Sequence, residues 1–581
     1  MSQRKGVGLV LFLIALAIFF SLGGMLLMLL AAGGEPQVAR HSTLVLRLDQ
    51  ALAESEPRGI FEQFLEPPPT VRSVVDSLRK AKSDSRIAAV VVAPTSPQAL
   101  WAKVQEVRDA ILEFKQSDKP IIGYLEYGGE QEFYLASACD KVYLMPTSTL
   151  DLIGMATYEL FFRGTLDKIG VHPDLLHIGD YKTAANTFTE KTYTAAHREM
   201  AESLNHDLYS QLVAGLARAR AKSDQEMRAL IDHGPYVAAD ALSAGLVDGL
   251  AYEDEIYGKA GLEGGSDRRV DFKSYRRVSA SSAGLVGGPR LAVIYIDGTI
   301  TSGASAADSP SGPIAGSDTI GRYLRRARDD RSIRAIVLRV DSPGGSAIAS
   351  DVIWRDVQLA RASKPVIASM SDVAASGGYY VAMPAHAIVA EPGTLTGSIG
   401  VVMGKFALGG TLDKLGLNMD AVSEGRYALL QSPAHPFSPE ERAKIEELMQ
   451  ATYDAFVRKA ADARQKTTDE IDAIARGRVW TGQQAKAIGL VDELGGLTRA
   501  IALAKARAGI DAAAEVELVI YPPRRGFLEA LSNPFGDAAR VRQSAWLPAG
   551  WERRALGTLT APLTLFRRGE PLALMPNVFL R

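Results

Sequence analysis

Ile333-Arg334-Ala335-Ile336-Val337-Leu338-Arg339-Val340 runs directly into Asp341-Ser342-Pro343-Gly344-Gly345-Ser346. A short apolar run closed by turn-forming residues reads as a strand buried on both faces of a sheet. Around it the pattern alternates. Residues 291–296 read as a strand and 318–329 as a helix. After the 333–340 strand come a helix over 347–361, a strand over 365–369, a helix headed by Ser376 and a strand over 387–390. Helices over 439–464 and 468–476 follow and are expected outside the sheet. Apolar strands separated by helices specify an α/β fold with a largely parallel sheet.

Three Gly/Ser clusters sit at the ends of strand-like runs. They are the 341–346 stretch, Asp372-Val373-Ala374-Ala375-Ser376-Gly377-Gly378-Tyr379-Tyr380, and Thr396-Gly397-Ser398-Ile399-Gly400. Each alone is an ordinary loop. Together they supply a serine on a tight turn and glycines free to aim backbone N–H groups at one point, which is what acyl transfer requires.

The unit is written twice. Arg86-Ile87-Ala88-Ala89-Val90-Val91-Val92 parallels the 332–338 run. Gly164-Thr165-Leu166-Asp167-Lys168-Ile169-Gly170 nearly repeats Gly410-Thr411-Leu412-Asp413-Lys414-Leu415-Gly416, and Ala244-Gly245-Leu246-Val247-Asp248 repeats Ile488-Gly489-Leu490-Val491-Asp492. A near-constant offset means tandem domains. The first repeat is placed at 40–278, a Gly/Ser-rich linker at 279–289 and the second repeat at 290–516. Residues 517–581 are an extension with no counterpart in the first repeat.

The copies differ in complementary ways. Opposite Pro343-Gly344-Gly345 the first copy has Pro97-Gln98-Ala99. Opposite Ser376 it has Glu130 or Gln131, and opposite Ser398, Leu152. Conversely, Gly179-Asp180-Tyr181-Lys182-Thr183 aligns with Gly425-Arg426-Tyr427-Ala428-Leu429, so only the first copy has the lysine. One repeat offers a nucleophile and the other a base. A serine hydroxyl needs a neighbour to take its proton, and a lysine serves when burial lowers its pKa. His386 and His435 are poor alternatives, and there is no Gly-x-Ser-x-Gly elbow. Ser77-x-x-Lys80 matches another Ser/Lys spacing but lies on a charged helix and reads as a solvated face.

The 581 residues carry a net charge of −2, which excludes a nucleic-acid-binding field. The single cysteine, Cys139, forms no intrachain disulfide and reads as a buried small side chain. No cofactor or metal motif is read. Residues 7–32 are free of charge and long enough to span a bilayer, with Arg4 and Lys5 before them and Glu35 after. Residues 1–34 are therefore expected to be a cytoplasmic N-terminus and transmembrane signal-anchor, with the rest of the chain across the membrane; the alternative is a cleaved signal peptide ending near Ala31-Ala32-Gly33.

These motifs, in this order, resemble signal peptide peptidase A in its long bacterial two-repeat form. The resemblance covers roughly residues 40–515 and includes the anchor. It implies two tandem Clp/crotonase-like αβ domains built as ββα spirals. It also implies Ser376 as nucleophile, Lys182 as general base, Ser398 orienting the lysine, and Gly345 with Gly377 as the oxyanion hole. The implied setting is a homotetramer on the bacterial inner membrane, facing the periplasm and degrading remnant signal peptides, without cofactor, metal or nucleic acid. Asp180 departs from the usual basic or neutral residue, and an acid there would hold Lys182 protonated unless it points away. Ile399–Met403 and Tyr379-Tyr380 are expected to line an apolar groove. Two rival readings are a crotonase-like acyl-CoA enzyme and an inactive membrane scaffold.

Overall fold

The computed structural model describes residues 35–56, 68–259, 268–306, 312–523 and 570–576, with positions 16, 23 and 579–580. The expected anchor over 1–34 lies almost wholly outside them, and among the described residues no helix is long and apolar enough to cross a membrane.

Two parallel sheets of the same order make the body. In the first half the order is Arg269–Asp271, Ser42–Leu48, Ile87–Pro94, Ile121–Leu125, Lys141–Leu144, Gly249–Leu250. In the second the same parallel order is Glu517–Tyr521, Arg290–Asp297, Ile333–Ser342, Val366–Ala375, Ala387–Ala390, Glu493–Leu494. This sheet has two further strands: Leu395–Gly397, parallel to the end of Val366–Ala375, and Val479–Thr481, antiparallel to Leu395–Gly397. The strands are apolar because helices cover both faces. Ile336, Leu338 and Val340 point into one cluster, and Ala335 and Val337 into another on the opposite side. Cys139 is buried as expected.

The topology corrects one boundary. Glu517–Tyr521 forms the edge strand that Arg269–Asp271 forms in the first half, so the second sheet runs to Tyr521 rather than ending at 516. A five-residue strand stopped by Pro522-Pro523 looks like a tail, and only its pairing with Arg290–Asp297 reveals it.

A third sheet joins the halves. Ile314–Gly316, Thr299–Thr301, Gly344–Ser346, Leu572–Leu574, Val401–Ala407 and His172–Ile178 lie in that order. The last is from the first repeat and pairs antiparallel with Val401–Ala407 over its whole length. Buried charges also link the repeats. The Arg339 guanidinium donates to Glu54 at 2.6 Å and to Glu106 at 2.7 Å, and the Lys103 ammonium donates to Asp341 at 2.7 Å. Such groups are held by mutual pairing, since removing one partner of a buried ion pair costs roughly 3–5 kcal/mol. The two repeats are therefore fixed against each other.

Ser77 and Lys80 are not a solvated face. Both are buried. Ser77 donates to the Ser73 carbonyl, and Lys80 donates to the carbonyls of Arg276 and Val278 at 3.1 and 2.8 Å. Each is hydrogen-bonded elsewhere, and Lys80 ties its helix to the end of the first repeat. The charged look of the helix misled because an amine can be buried when carbonyls take its protons.

Candidate active site

Ser376 stands at the end of strand Val366–Ala375 and caps helix Gly377–Ala382. Its φ of +56° and ψ of −111° are ones a residue with a Cβ rarely adopts, a strain characteristic of functional positions. The turn is held by its own N–H donating to the Gly397 carbonyl at 2.8 Å and by its carbonyl accepting from Tyr380 N–H at 2.8 Å.

Lys182 arrives from the other repeat. Ile178 is in register with Val401, and Gly179 then turns the chain with φ +94°. The Tyr181 N–H donates to the Arg476 carbonyl at 3.0 Å. The amine lies 2.7 Å from Ser376 Oγ, 2.9 Å from the Ser398 carbonyl and 3.0 Å from Ser398 Oγ. Lysine and both serines are wholly buried. Burial pushes the Lys182 ammonium well below its ordinary pKa. Asp180 faces solvent, so the nearby acid does not hold the amine charged. A neutral amine can give its two N–H groups to Ser398 and turn its lone pair toward the Ser376 hydroxyl. The three residues expected to form the dyad and its support thus meet within one chain.

The expected oxyanion glycines converge as well. A methyl on Gly377 would lie 3.2 Å from the Gly345 nitrogen, and one on Gly344 would lie 2.7 Å from the Gly377 nitrogen. The two amides therefore border one spot beside Ser376. Neither histidine contacts the serine: the His386 ring accepts from Val366 N–H, and the His435 ring lies against the Pro436 carbonyl. In the first repeat the equivalent turn is closed, because the Glu130 carboxylate accepts from the N–H groups of Ile153 and Gly154.

The expected apolar groove differs from the sequence reading. Tyr379 and Tyr380 do not line a groove. Their rings sit in the core, and their hydroxyls donate to the Leu490 carbonyl and the Asp351 carboxylate. The adjacent glycines had suggested a loop, but these tyrosines begin a buried helix. Of the expected groove segment Ile399–Met403, Ile399, Val401 and Met403 also point into that core, and only Val402 faces a separate apolar cluster, with Leu175, Ala185 and Phe188.

Sequence reasoning also passed over Gly477, between two arginines just after a helix, where it reads as a simple helix stop. Its φ is +83°, and a Cβ there would strike the backbone nitrogen and Cα of Lys182 at 2.4 Å. Gly477→Ala is therefore expected to displace the lysine and cut turnover by about tenfold to a hundredfold, since ångström-scale misplacement of a reacting group costs that much. The check is kcat/KM on a peptide substrate, with thermal melting to show that the fold persists.

A strained buried serine facing a desolvated amine, with two backbone amides beside it, is the build of a serine peptidase. The sequence profile of peptidase family S49 matches residues 113–264 and 358–511, one block in each repeat. The chloroplastic serine protease SPPA of Arabidopsis thaliana is 39% identical over 449 residues, 76% of this chain and 66% of that protein. Protease 4 of Salmonella typhi is 35% identical over 444 residues, covering 74% and 71%. Among solved structures, ClpP1 from Listeria monocytogenes matches with a TM-score of 0.22 and 14% identity, over 35% of this chain and 89% of that one. The chain belongs to peptidase family S49 and is a serine protease.

Proposed function

We propose that the chain is an endopeptidase working through a Ser376–Lys182 dyad on apolar peptides, remnant signal peptides above all. The observation that carries this reading is the 2.7 Å approach of a wholly buried lysine amine to Ser376 Oγ. Neutral Lys182 takes the serine proton as Oγ attacks the scissile carbonyl. The N–H groups of Gly345 and Gly377 receive the developing oxyanion, and the lysine returns the proton to the leaving nitrogen. Water, activated by the same amine, then releases the acyl group. Ser398 positions the amine. Nothing in this scheme calls for a metal or cofactor. An acyl-CoA enzyme would need no such dyad.

The membrane setting and assembly belong to the same proposal. The charge-free span at 7–32 behind Arg4 and Lys5 supports a single-pass anchor with the catalytic body on the periplasmic side of a bacterial inner membrane. The homotetramer rests on the resemblance to the two-repeat peptidases. Peptides with Leu, Ala or Phe before the scissile bond are expected to be cut faster than Asp or Lys peptides, and a fluorophosphonate probe to label Ser376. Absence of both cleavage and labelling would favour an inactive scaffold. The reverse ranking of peptides would count against signal-peptide substrates.

A further inference from the structure

Two neighbouring strands carry the two halves of the reacting site. Ile333–Ser342 leads to Gly345, and Val366–Ala375 leads to Ser376. They run in register from the Ile336–Val366 pair to the Val340–Met370 pair and resume at Ser342–Ala374. Between those points the first strand has one residue, Asp341, and the second has three, Ser371, Asp372 and Val373. Extra residues in one strand of a pair make a bulge, which re-aims whatever follows it. Here the residue that follows is Ser376, four positions beyond Asp372. The corresponding strands of the first repeat pair without a break from Val90–Ile121 to Val92–Gly123. The bulge belongs to the copy that has the serine.

A lysine of the other copy holds this bulge. The Lys103 ammonium donates to Asp341 Oδ2 at 2.7 Å and lies 3.5 Å from the Asp372 carboxylate and 3.8 Å from that of Glu54. Asp341 Oδ1 accepts from Val373 N–H at 3.0 Å, so one carboxylate bridges the far end of the bulge to the lysine. Asp372, in the middle, turns its carboxylate to the start of helix Trp101–Phe114. It accepts there from the N–H groups of Leu100 at 3.1 Å and Lys103 at 2.9 Å. Leu100 stands at the N-cap of that helix with no polar side chain, so Asp372 supplies the cap from the other repeat. Ser371, at the near end, donates to Glu54. Lys103, Asp372 and Glu54 are all buried. Burial alone would push the Lys103 ammonium down, but the carboxylates of Asp341, Asp372 and Glu54 outweigh it and raise its pKa above the ordinary lysine value. The first repeat thus sends two buried lysines to one site in opposite states, Lys182 with a lowered pKa and Lys103 held charged.

We infer that Lys103 is a positioning residue of the active site: by clamping the bulge it sets where Ser376 stands relative to the amides of Gly345 and Gly377. The inference rests on the Ser376–Lys182 reading. Lys103 acts through carboxylates and not on the reacting atoms. Asp341 and Asp372 lie close enough to repel, and each is held by the same ammonium. Without that charge the two carboxylates push apart across the bulge, and the end of Val366–Ala375 shifts against the strand that leads to Gly345. The repeat without the serine then contributes twice to the chemistry, with a base in Lys182 and a register clamp in Lys103.

The test measures kcat and KM on an apolar reporter peptide, the rate of fluorophosphonate labelling and thermal melting. It uses the full-length wild type, Lys103→Met, the double variant Lys103→Met with Asp341→Asn, and Ser376→Ala, assayed where the wild type is fully folded. Lys103→Met is expected to lower kcat and labelling by about tenfold to a hundredfold with KM within about twofold, because the loss falls on the placement of reacting groups and not on peptide binding. In the double variant the melting temperature is expected to recover toward wild type, since removing both partners of a buried pair leaves no uncompensated charge. Its kcat is expected to stay low, because the clamp across the bulge is still missing. Recovery of kcat in step with melting, or failure of both to recover, would show that the lysine only stabilises the fold and would overturn the inference. A wild-type kcat in Lys103→Met, a loss carried by KM, or variants that do not fold would overturn it as well. A wild type that leaves the reporter uncut, or a Ser376→Ala enzyme that cuts it as fast, would instead bring down the Ser376–Lys182 reading.

Discussion

Ser376→Ala and Lys182→Ala are each expected to reduce peptide turnover by about 10⁴-fold or more, and the double variant to be scarcely worse. A nucleophile and its base act as one unit, so removing either forfeits nearly the whole contribution and the effects do not add. The geometry supports that pairing: neither His386 nor His435 contacts Ser376, while Lys182 lies 2.7 Å from its Oγ. Lys182→Arg is expected to be nearly as inactive as the alanine variant, because a guanidinium stays protonated and has no lone pair to accept the serine proton. The measurement is kcat/KM alongside fluorophosphonate labelling. A Lys182→Ala enzyme that kept most of its turnover while Ser376→Ala was dead would remove the lysine from the mechanism.

Gly345→Ala is expected to lower kcat by about 10²–10³-fold, the usual cost of losing one oxyanion donor. Gly345 has φ +150°, and its Cβ would stand 2.1 Å from the Ile300 carbonyl oxygen on the neighbouring strand. The strand Gly344–Ser346 must shift to admit it, which turns the Gly345 N–H away from the reacting carbonyl. Labelling by a fluorophosphonate should fall in parallel, since the probe's phosphoryl oxygen needs the same amides. An alanine variant with unchanged kcat and normal melting would show that Gly345 is not an oxyanion donor.

How far the sequence speaks can be judged residue by residue. The two-copy α/β plan was legible because helix-covered parallel strands are nearly all apolar and because the copies kept their spacing. Ser376 and Lys182 were legible through reciprocal loss, each present where the other copy had none. What placed them 2.7 Å apart was not. It depends on the pairing of His172–Ile178 with Val401–Ala407, strands more than two hundred positions apart, and on Gly477, whose missing side chain leaves room for the Lys182 backbone. The strand Leu572–Leu574 was invisible for the same reason. Three residues have no period to read, and its partners lie far away in the chain. Lys80 shows the converse error, in which a charged sequence surrounding hid a buried amine that caps carbonyls.

In the proposed mechanism Lys182 must work as a neutral amine. Burial lowers its pKa in the fold, whereas the unfolded chain keeps a value near 10.4. The native state therefore binds fewer protons than the unfolded one between those two values. This lysine's contribution to stability accordingly diminishes as pH falls through that window and levels off below the folded pKa. Activity follows the same group. Below the folded pKa the amine is charged and cannot accept the serine proton; above it the lone pair is free. The decisive measurement is the pH dependence of kcat/KM for an apolar peptide, which reports ionisations of the free enzyme. The expected profile rises with unit slope through a single ionisation below about 10.4 and then stays flat. A rate independent of pH across that window, or one that falls as the pH rises, would contradict a neutral Lys182 as the base.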